Sequence, residues 1–419
     1  MKKYDLIVVG GGLTGICASV SAARAGLSTL LIEKSGALGG AMSNSLVYPF
    51  SYYWINDTET DEKKYLVGGI FREMMAIQKK MCPETDDLYF SPEHFKFILD
   101  KLTTDSGVDV LFHATLYDVC TNERNIESIK VIAGSEKFDF KADYFIDTTG
   151  DGNLFYMAGC DYLLGREQDN LCQPMTTCFR MSNVDIELFI KEKENLQKLY
   201  KEKQQSGEIS NPRENILTFL RVGEGILHFN TTRIIKLNPT NPFDVSEAEK
   251  EARAQILELV DFLKEVSPAF KNSTIISIAS DIGVRESRKL RGEHILTEEE
   301  LKACTMFEDS IALGNYDIDI HNPAGTGTSH YYFKKGEYYS IPYRSLLPKE
   351  FDNLLVAGRC ISATHEAQAS VRIMPICASM GEAAGTAIAV AKNTNKNTHT
   401  LDIKLLQQTL KENGAVTEL

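Results

Sequence analysis

The chain has 419 residues, 43% hydrophobic and 25% charged, with a formal net charge of −13. That length suits two domains with substantial cores, the acidic balance argues against nucleic acid or an anionic membrane as partner, and no apolar run approaches the ~18 residues of a membrane span. Nine cysteines lie scattered without C-x-x-C spacing, so the common iron–sulfur and c-type haem signatures are missing, and their odd number points to a reducing cytoplasm.

The first forty residues carry the strongest pattern. An apolar run, Leu6-Ile7-Val8-Val9, leads into Gly10-Gly11-Gly12-Leu13-Thr14-Gly15 and a helix-like stretch from Ile16 to Ala25. The G-x-G-x-x-G spacing falls on Gly10, Gly12 and Gly15. Gly10 makes the turn out of the strand. Gly12, lacking a Cβ, lets a pyrophosphate approach the backbone. Gly15 lets the helix pack closely. The phosphates then meet free N–H groups at the positive end of the helix dipole, beside Leu13 and Thr14. A second strand, Ser28 to Ile32, ends in Glu33, whose carboxylate can accept both hydroxyls of an adenosine ribose; Lys34 follows. Met1-Lys2-Lys3 and the apolar run imitate a signal peptide, but Asp5 and the glycine spacing argue against one.

Gly39-Gly40 comes next. A second glycine pair just after the ribose-binding acid is not needed for a nicotinamide dinucleotide. From here the sequence resembles flavin adenine dinucleotide domains of the glutathione-reductase type. Ser91-Pro92-Glu93 reads as the start of a helix running to about Thr104. Val108 to Phe112 is a strand, and Thr115–Cys120 with Ile126–Ile132 forms a hairpin. In the resembling class the strand after this helix passes the adenine, which implies the backbone of Leu116 as a contact. Asp143 to Asp147 is a short strand ending in Thr148-Thr149-Gly150-Asp151-Gly152, a return crossing with Thr149, Gly150 and Asp151 near the pyrophosphate or ribityl.

Residues 159–344 change character and are read as an inserted α+β substrate or cap domain; 1–158 and 345–419 form the nucleotide half. Val184 to Ser206 reads as an exposed helix stopped by Asn211-Pro212. Ser246 to Val266 reads as another, with Ser246 as N-cap. Ile282 to Glu293 concentrates cations: Arg285 and Arg288 suit anion recognition as well as they suit a salt-bridged helix surface, and Arg291 reads as the latter. Asp317 to His330 reads as a loop, with His321 and His330 as candidates for proton transfer.

Leu354 to Val356 with Ala357-Gly358-Arg359 is a closing strand. A polar segment, Cys360 to Ser370, follows, then a helix from about Arg372, fixed there because Pro375 fits only a first turn. Its N-terminus, at Ile373 and Met374, would face the flavin pyrimidine edge and favour the anionic reduced ring.

Taken in order, Gly10–Gly15 with Glu33, Gly39-Gly40, Asp147–Gly152, Ile282–Glu293 and Asn353–Gly385 resemble a bacterial FAD-dependent oxidoreductase family, distantly similar to fumarate reductase and succinate dehydrogenase flavoproteins. The resemblance implies a doubly wound α/β, Rossmann-like FAD domain. Relatives that bind flavin covalently use a histidine soon after the second glycine region; Ala41-Met42-Ser43-Asn44-Ser45 has none, so FAD is expected to be noncovalent. His365 sits near the relatives' substrate histidine, while the expected arginine is displaced to Arg372. The expected function is hydride transfer between FAD and a small polar or anionic substrate, with His365, Arg372, Arg285 and His321 doing the polar work. With neither metal site nor nicotinamide domain legible, a separate electron donor or acceptor is expected. The alternative is a structural flavin supporting an isomerisation, an elimination or redox sensing.

Overall fold

A computed structural model of the chain describes residues 3–419. Its centre is a parallel sheet in the order Asp109–Leu111, Thr29–Ile32, Tyr4–Val9, the C-terminal half of Glu136–Asp147, and Leu354–Val356. Tyr4–Val9, Thr29–Ile32 and Leu354–Val356 are almost wholly apolar and buried, as strands covered on both faces must be. Leu6, Val8, Leu31, Ile146 and Leu355 face one core with the helices. Ile7, Val9, Leu30, Ile32 and Phe145 face a second core. That core is closed by an antiparallel meander of Ala114–Asn122, Asn125–Ala133 and the first half of Glu136–Asp147. Glu136–Asp147 is therefore one long strand serving two sheets, longer than the short strand expected at Asp143.

On the helical face, Leu13–Arg24 packs along Met374–Asn393. A Cβ on Gly381 would lie 2.1 Å from the Thr14 carbonyl oxygen, and one on Gly385 would lie 2.1 Å from that of Ala18. The register 14 to 381 and 18 to 385 makes the two helices parallel. The Met374–Asn393 helix is long and apolar enough by composition to cross a membrane, contrary to the expectation that no such run exists, but nearly all of it lies inside the protein.

The middle of the chain forms an antiparallel sheet, Thr218–Phe219, Leu227–Phe229, Phe179–Ser182 and Thr274–Ile278. Helices Ile186–Ser206 and Pro242–Val266 cover it, giving a separate core around Phe179, Tyr200, Phe229 and Phe270. Leu296, Leu301, Ile311, Tyr339, Ile341 and Leu346, by contrast, share the large core of the nucleotide half. The expected boundary at residue 344 thus does not coincide with a boundary between cores.

Several local expectations are corrected. The long helix starts at Pro242, four residues before Ser246, because Asn241 caps it and proline occupies N1; the Ser246 hydroxyl instead donates to the Pro242 carbonyl. The Ile186–Ser206 helix ends at Gly207, ahead of Asn211-Pro212. Residues 282–293 are not a helix but an extended segment whose Arg288–Leu290 pairs with Tyr162–Leu164. Asp317–His330 is not a loop but a hairpin of Ile318–His321 and Thr328–Tyr331. The polar segment Cys360–Ser370 is not wholly irregular: His365–Val371 is a helix capped by Thr364.

Candidate functional site

The strand–turn–helix at the N-terminus builds a cradle. The turn at Gly10 (φ +108°) leaves no room for a side chain: a Cβ would lie 2.5 Å from the Thr148 carbonyl oxygen. One on Gly15 would lie 1.9 Å from the Gly10 carbonyl oxygen. A Cβ on Gly12 would meet nothing within 4 Å. Gly10 and Gly15 are thus required by the protein's own packing, whereas Gly12 faces open space at the mouth of the Leu13–Arg24 helix, which no side chain caps. The Gly39-Gly40 pair forms the opposite lip: Gly39 N–H donates to the Gly11 carbonyl at 2.8 Å, and a Cβ on Gly40 would press on Gly12 Cα at 2.9 Å. Glu33, buried at the end of its strand, accepts from Gly11 N–H (2.6 Å) and from Ser35 N–H (2.8 Å) and hydroxyl (2.7 Å). Of the carboxylate's four lone-pair positions, one on Oε2 remains, room for one ribose hydroxyl rather than two. The Leu116 strand begins beside it, with Ala114 N–H on the Glu33 carbonyl. Lys34 lies outside, 3.9 Å from Asp281 and exposed.

The third parallel strand end is equally ordered. Buried Asp147 accepts from Thr149 N–H and hydroxyl and from Phe155 N–H. That holds Gly150 and Asp151 against Arg359, whose Nη2 donates to Asp151 Oδ1 at 2.9 Å. Gly358 lies against Thr14, where a Cβ would come within 2.6 Å of Oγ1. The Met374–Asn393 helix begins at Ile373 without a side-chain cap. Its seven residues ahead of Gly381 carry its positive end about 10 Å past Thr14.

Beyond that helix end, cations gather. Arg285 Nη1 donates to the Pro174 carbonyl at 2.7 Å and the Thr176 hydroxyl at 2.5 Å. Among the described residues it has no carboxylate partner. Burial, then the nearby Arg372 and Arg213, push its pKa down to about 9. Arg372 Nη2 lies 3.5 Å from Asp319 Oδ2, and its Nε is buried without a partner among the described residues. Burial raises the Asp319 carboxyl, but its hydrogen bond from His321 and the charges of Arg372 and Arg285 outweigh this and hold it far below the usual range. Tyr316 also donates to it, at 3.2 Å. His321 is driven down to about 3 by burial and by Arg285. It is therefore neutral, with Nε2 on Asp319 (3.3 Å) and Nδ1 facing Thr328 (3.1 Å) and Arg213 (3.5 Å). With both nitrogens committed, it positions Asp319 rather than carrying protons.

His365 stands apart from this cluster. Its Nδ1 meets Glu286 Oε2 at 2.7 Å, and Glu286, wholly buried, also binds Lys289 and the Gln173 N–H. Glu286 points to the opposite side of its segment from Ser287, which reaches Asp151. His365 lines a polar cleft of about 810 Å³ with Arg166, Asn322, Thr328 and Glu366. Arg288 is no site residue: it stacks on Tyr156 at 4.0 Å and donates to the Asp151 carbonyl. His330 pairs with Asp317 at 2.5 Å on the outer edge of the hairpin.

The model of the FAD dependent oxidoreductase family matches residues 5–410. The chain belongs to that family. Dihydrolipoyl dehydrogenase of Trypanosoma brucei brucei is 39% identical over 74 residues, covering 16% of this chain and 15% of that protein. Digeranylgeranylglycerophospholipid reductase of Picrophilus torridus is 26% identical over 196 residues, 44% of this chain and 48% of that protein. The chain thus matches less than half the length of these relatives. Among solved structures, a geranylgeranyl bacteriochlorophyll reductase-like protein from Thermoplasma acidophilum has a TM-score of 0.46 at 14% identity, over 99% of this chain and 84% of that one. The flavin-dependent brominase Bmp2 has a TM-score of 0.48 at 12% identity, over 98% and 83%.

The residues of this family member fit FAD. The open face of Gly12, two uncapped helix N-termini on the same side of the sheet, and the lone pair left on Glu33 suit an extended dinucleotide. Sequence reasoning missed Asp319, Arg213, Thr176 and the role of Glu286. The alternation of Asp319 and His321 was a usable signal once the segment was read as a strand. Arg213 sits just past Asn211-Pro212 with no local pattern, and only the fold brings it in.

Proposed function

We propose that this flavoenzyme, with a glutathione-reductase-type FAD domain, transfers a hydride between noncovalently held FAD and a small polar substrate carrying an anionic group. One observation carries the reading: Arg285 and Arg372 converge inside the protein against a single carboxylate, Asp319, with a third cation, Arg213, close to Arg285 and facing His321 and Glu214. Glu214, the next acid, is committed to Arg233 at 2.9 Å and to Thr328 at 3.0 Å. Guanidiniums keep their protons at neutral pH, so an excess of buried positive charge calls for a bound anion.

The cradle residues Gly10 to Gly15, Gly39-Gly40, Thr149 to Asp151 and Gly358-Arg359 hold the cofactor, with the Leu116 backbone beside the adenine. Bound FAD supplies the two-electron chemistry at its N5. The chain reaches the reacting region by two routes. One is the 372–374 helix start. The other runs from Gly40 to Ser45, which lies against Gly283, itself bridged to Thr176, and so to Arg285. There Arg285 and Arg372 bind and orient the substrate anion, Asp319 fixes Arg372, and Tyr316 and His321 fix Asp319. His365, backed by Glu286, offers a free ring nitrogen to the separate polar cleft and is the group placed to exchange a proton there. The second electron carrier is a diffusible molecule or another protein.

Acetate serves as the probe. It is expected to perturb the flavin absorption bands of the holoenzyme saturably, and Arg285→Gln to weaken its binding by about tenfold, ~1.4 kcal/mol. Bands indifferent to acetate and sulfate would sink the anionic reading. Bleaching under anaerobic mixing with reduced nicotinamides or candidate substrates separates hydride transfer from a structural flavin.

A further inference from the structure

A second cavity, of about 420 Å³, opens on the far side of Tyr316, a volume typical of small-molecule pockets. Its walls are unusually aromatic for a surface site. Tyr332 is 70% exposed and stacks on His330 through one face only, with centroids 5.2 Å apart and planes within 5°. Its other face is open. Tyr52, 59% exposed, stands edge-on to Trp54 at 5.0 Å. Such exposure of large rings around one concavity marks a binding surface.

The charged groups around it are all occupied. Asp317 binds His330 at 2.5 Å, Lys335 binds Asp61 at 2.8 Å, and Lys334 lies 3.8 Å from Glu337. Lys63 lies over Trp54 at 4.1 Å and pairs with Asp87 at 3.1 Å. What remains free is uncharged. Asn315 is tied to the Trp54 carbonyl at 3.0 Å. Asn56 reaches only Asp61, at 3.5 Å. Among the described residues each lysine here already faces a carboxylate, which disfavours an anion, and an apolar ligand would cover the exposed Asn56 amide without bonding it. A neutral ring with C–H groups on its faces and hydroxyls on its edge satisfies both the open aromatic faces and the Asn56 amide.

We propose that this pocket is a subsite for a neutral pyranose ring. The Tyr316 hydroxyl that floors it donates to Asp319, the partner of Arg372. Tyr316 is the one side chain the pocket shares with the arginine cluster, so a substrate reaching past it would bring its anionic end to Arg285 and Arg372, a step that rests on the anionic-site reading above. The substrate class is a sugar derivative bearing an acidic group.

Trp54 is the chain's single tryptophan, so intrinsic emission reports on this pocket. Methyl β-D-glucopyranoside titrated into the holoprotein is expected to change that emission saturably. Tyr332→Ala and Tyr52→Ala should each weaken binding by about tenfold, while Tyr332→Phe, which keeps the ring, stays within about threefold. No saturable change with this glucoside or with methyl α-D-galactopyranoside, or saturation by phenol in their place, overturns the proposal. A sugar response together with flavin bands indifferent to acetate would keep the subsite and discard the anionic reading; the reverse pattern would do the opposite.

Discussion

Gly12 differs from the two glycines that flank it in the fingerprint. All three fit the same spacing, yet Gly10 and Gly15 are demanded by carbonyl oxygens 2.5 and 1.9 Å from where a Cβ would stand, and Gly12 by nothing in the protein. Gly15→Ala is expected to destabilise the fold by several kcal/mol, since backbone must move. Gly12→Ala, at an extended φ of −69°, should cost no more than about 1 kcal/mol as a poorer cap while weakening FAD binding by at least about tenfold. Thermal unfolding of the apoprotein and flavin titration, run on both variants, check the contrast. The spacing was legible in the sequence, and so were the packing tasks of Gly10 and Gly15. That Arg285 would stand without a carboxylate partner among the described residues was not, because its neighbour in sequence, Glu286, turns away to His365.

Among elements, the docking of the Gly69–Met81 helix on Met374–Asn393 depends on one buried acid. Glu382 accepts the Ile70 N–H at 3.0 Å through Oε2, and burial raises its pKa from 4.5 to about 7. Folding therefore takes up a proton between those values. The stabilisation is complete below about pH 4.5 and lost as pH rises through about 7, up to ~3 kcal/mol at 1.36 kcal/mol per unit. Urea midpoints at pH 5 and pH 7.5 should show the decline, and Glu382→Gln, which keeps the acceptor, should flatten it. An unchanged slope in that variant would remove Glu382 as its source. The helix itself was readable from its small residues and Pro375, whereas the Ser246 cap was misplaced because Asn241-Pro242 is a stronger start than a serine four residues on.

For the molecule as a whole, the stretch just after Gly40, Ala41-Met42-Ser43-Asn44-Ser45, carries no histidine or cysteine to attach a flavin. Acid precipitation of the yellow holoprotein should leave FAD in the supernatant, and flavin that stays with the pellet would refute noncovalent binding. Free FAD at about a hundred times its dissociation constant should add ~2.7 kcal/mol to stability and raise Tm by a few degrees.

The sequence by itself determined the cofactor half: strand, turn, helix and acid follow one another within a single βαβ unit, so local spacing encodes them, and the closing strand and helix repeat the logic at the other end. Only the tertiary structure decided the arginine cluster. Arg213, Arg285, Asp319 and Arg372 come from segments up to about 160 residues apart, and no periodicity links them. Whether an arginine is a salt-bridged surface group or an unpaired charge facing a cleft depends on which carboxylate lies within a few ångströms, and that is settled by packing. The same packing that brought Arg285 and Arg372 to Asp319 took His365 to the other side of the 285–287 segment.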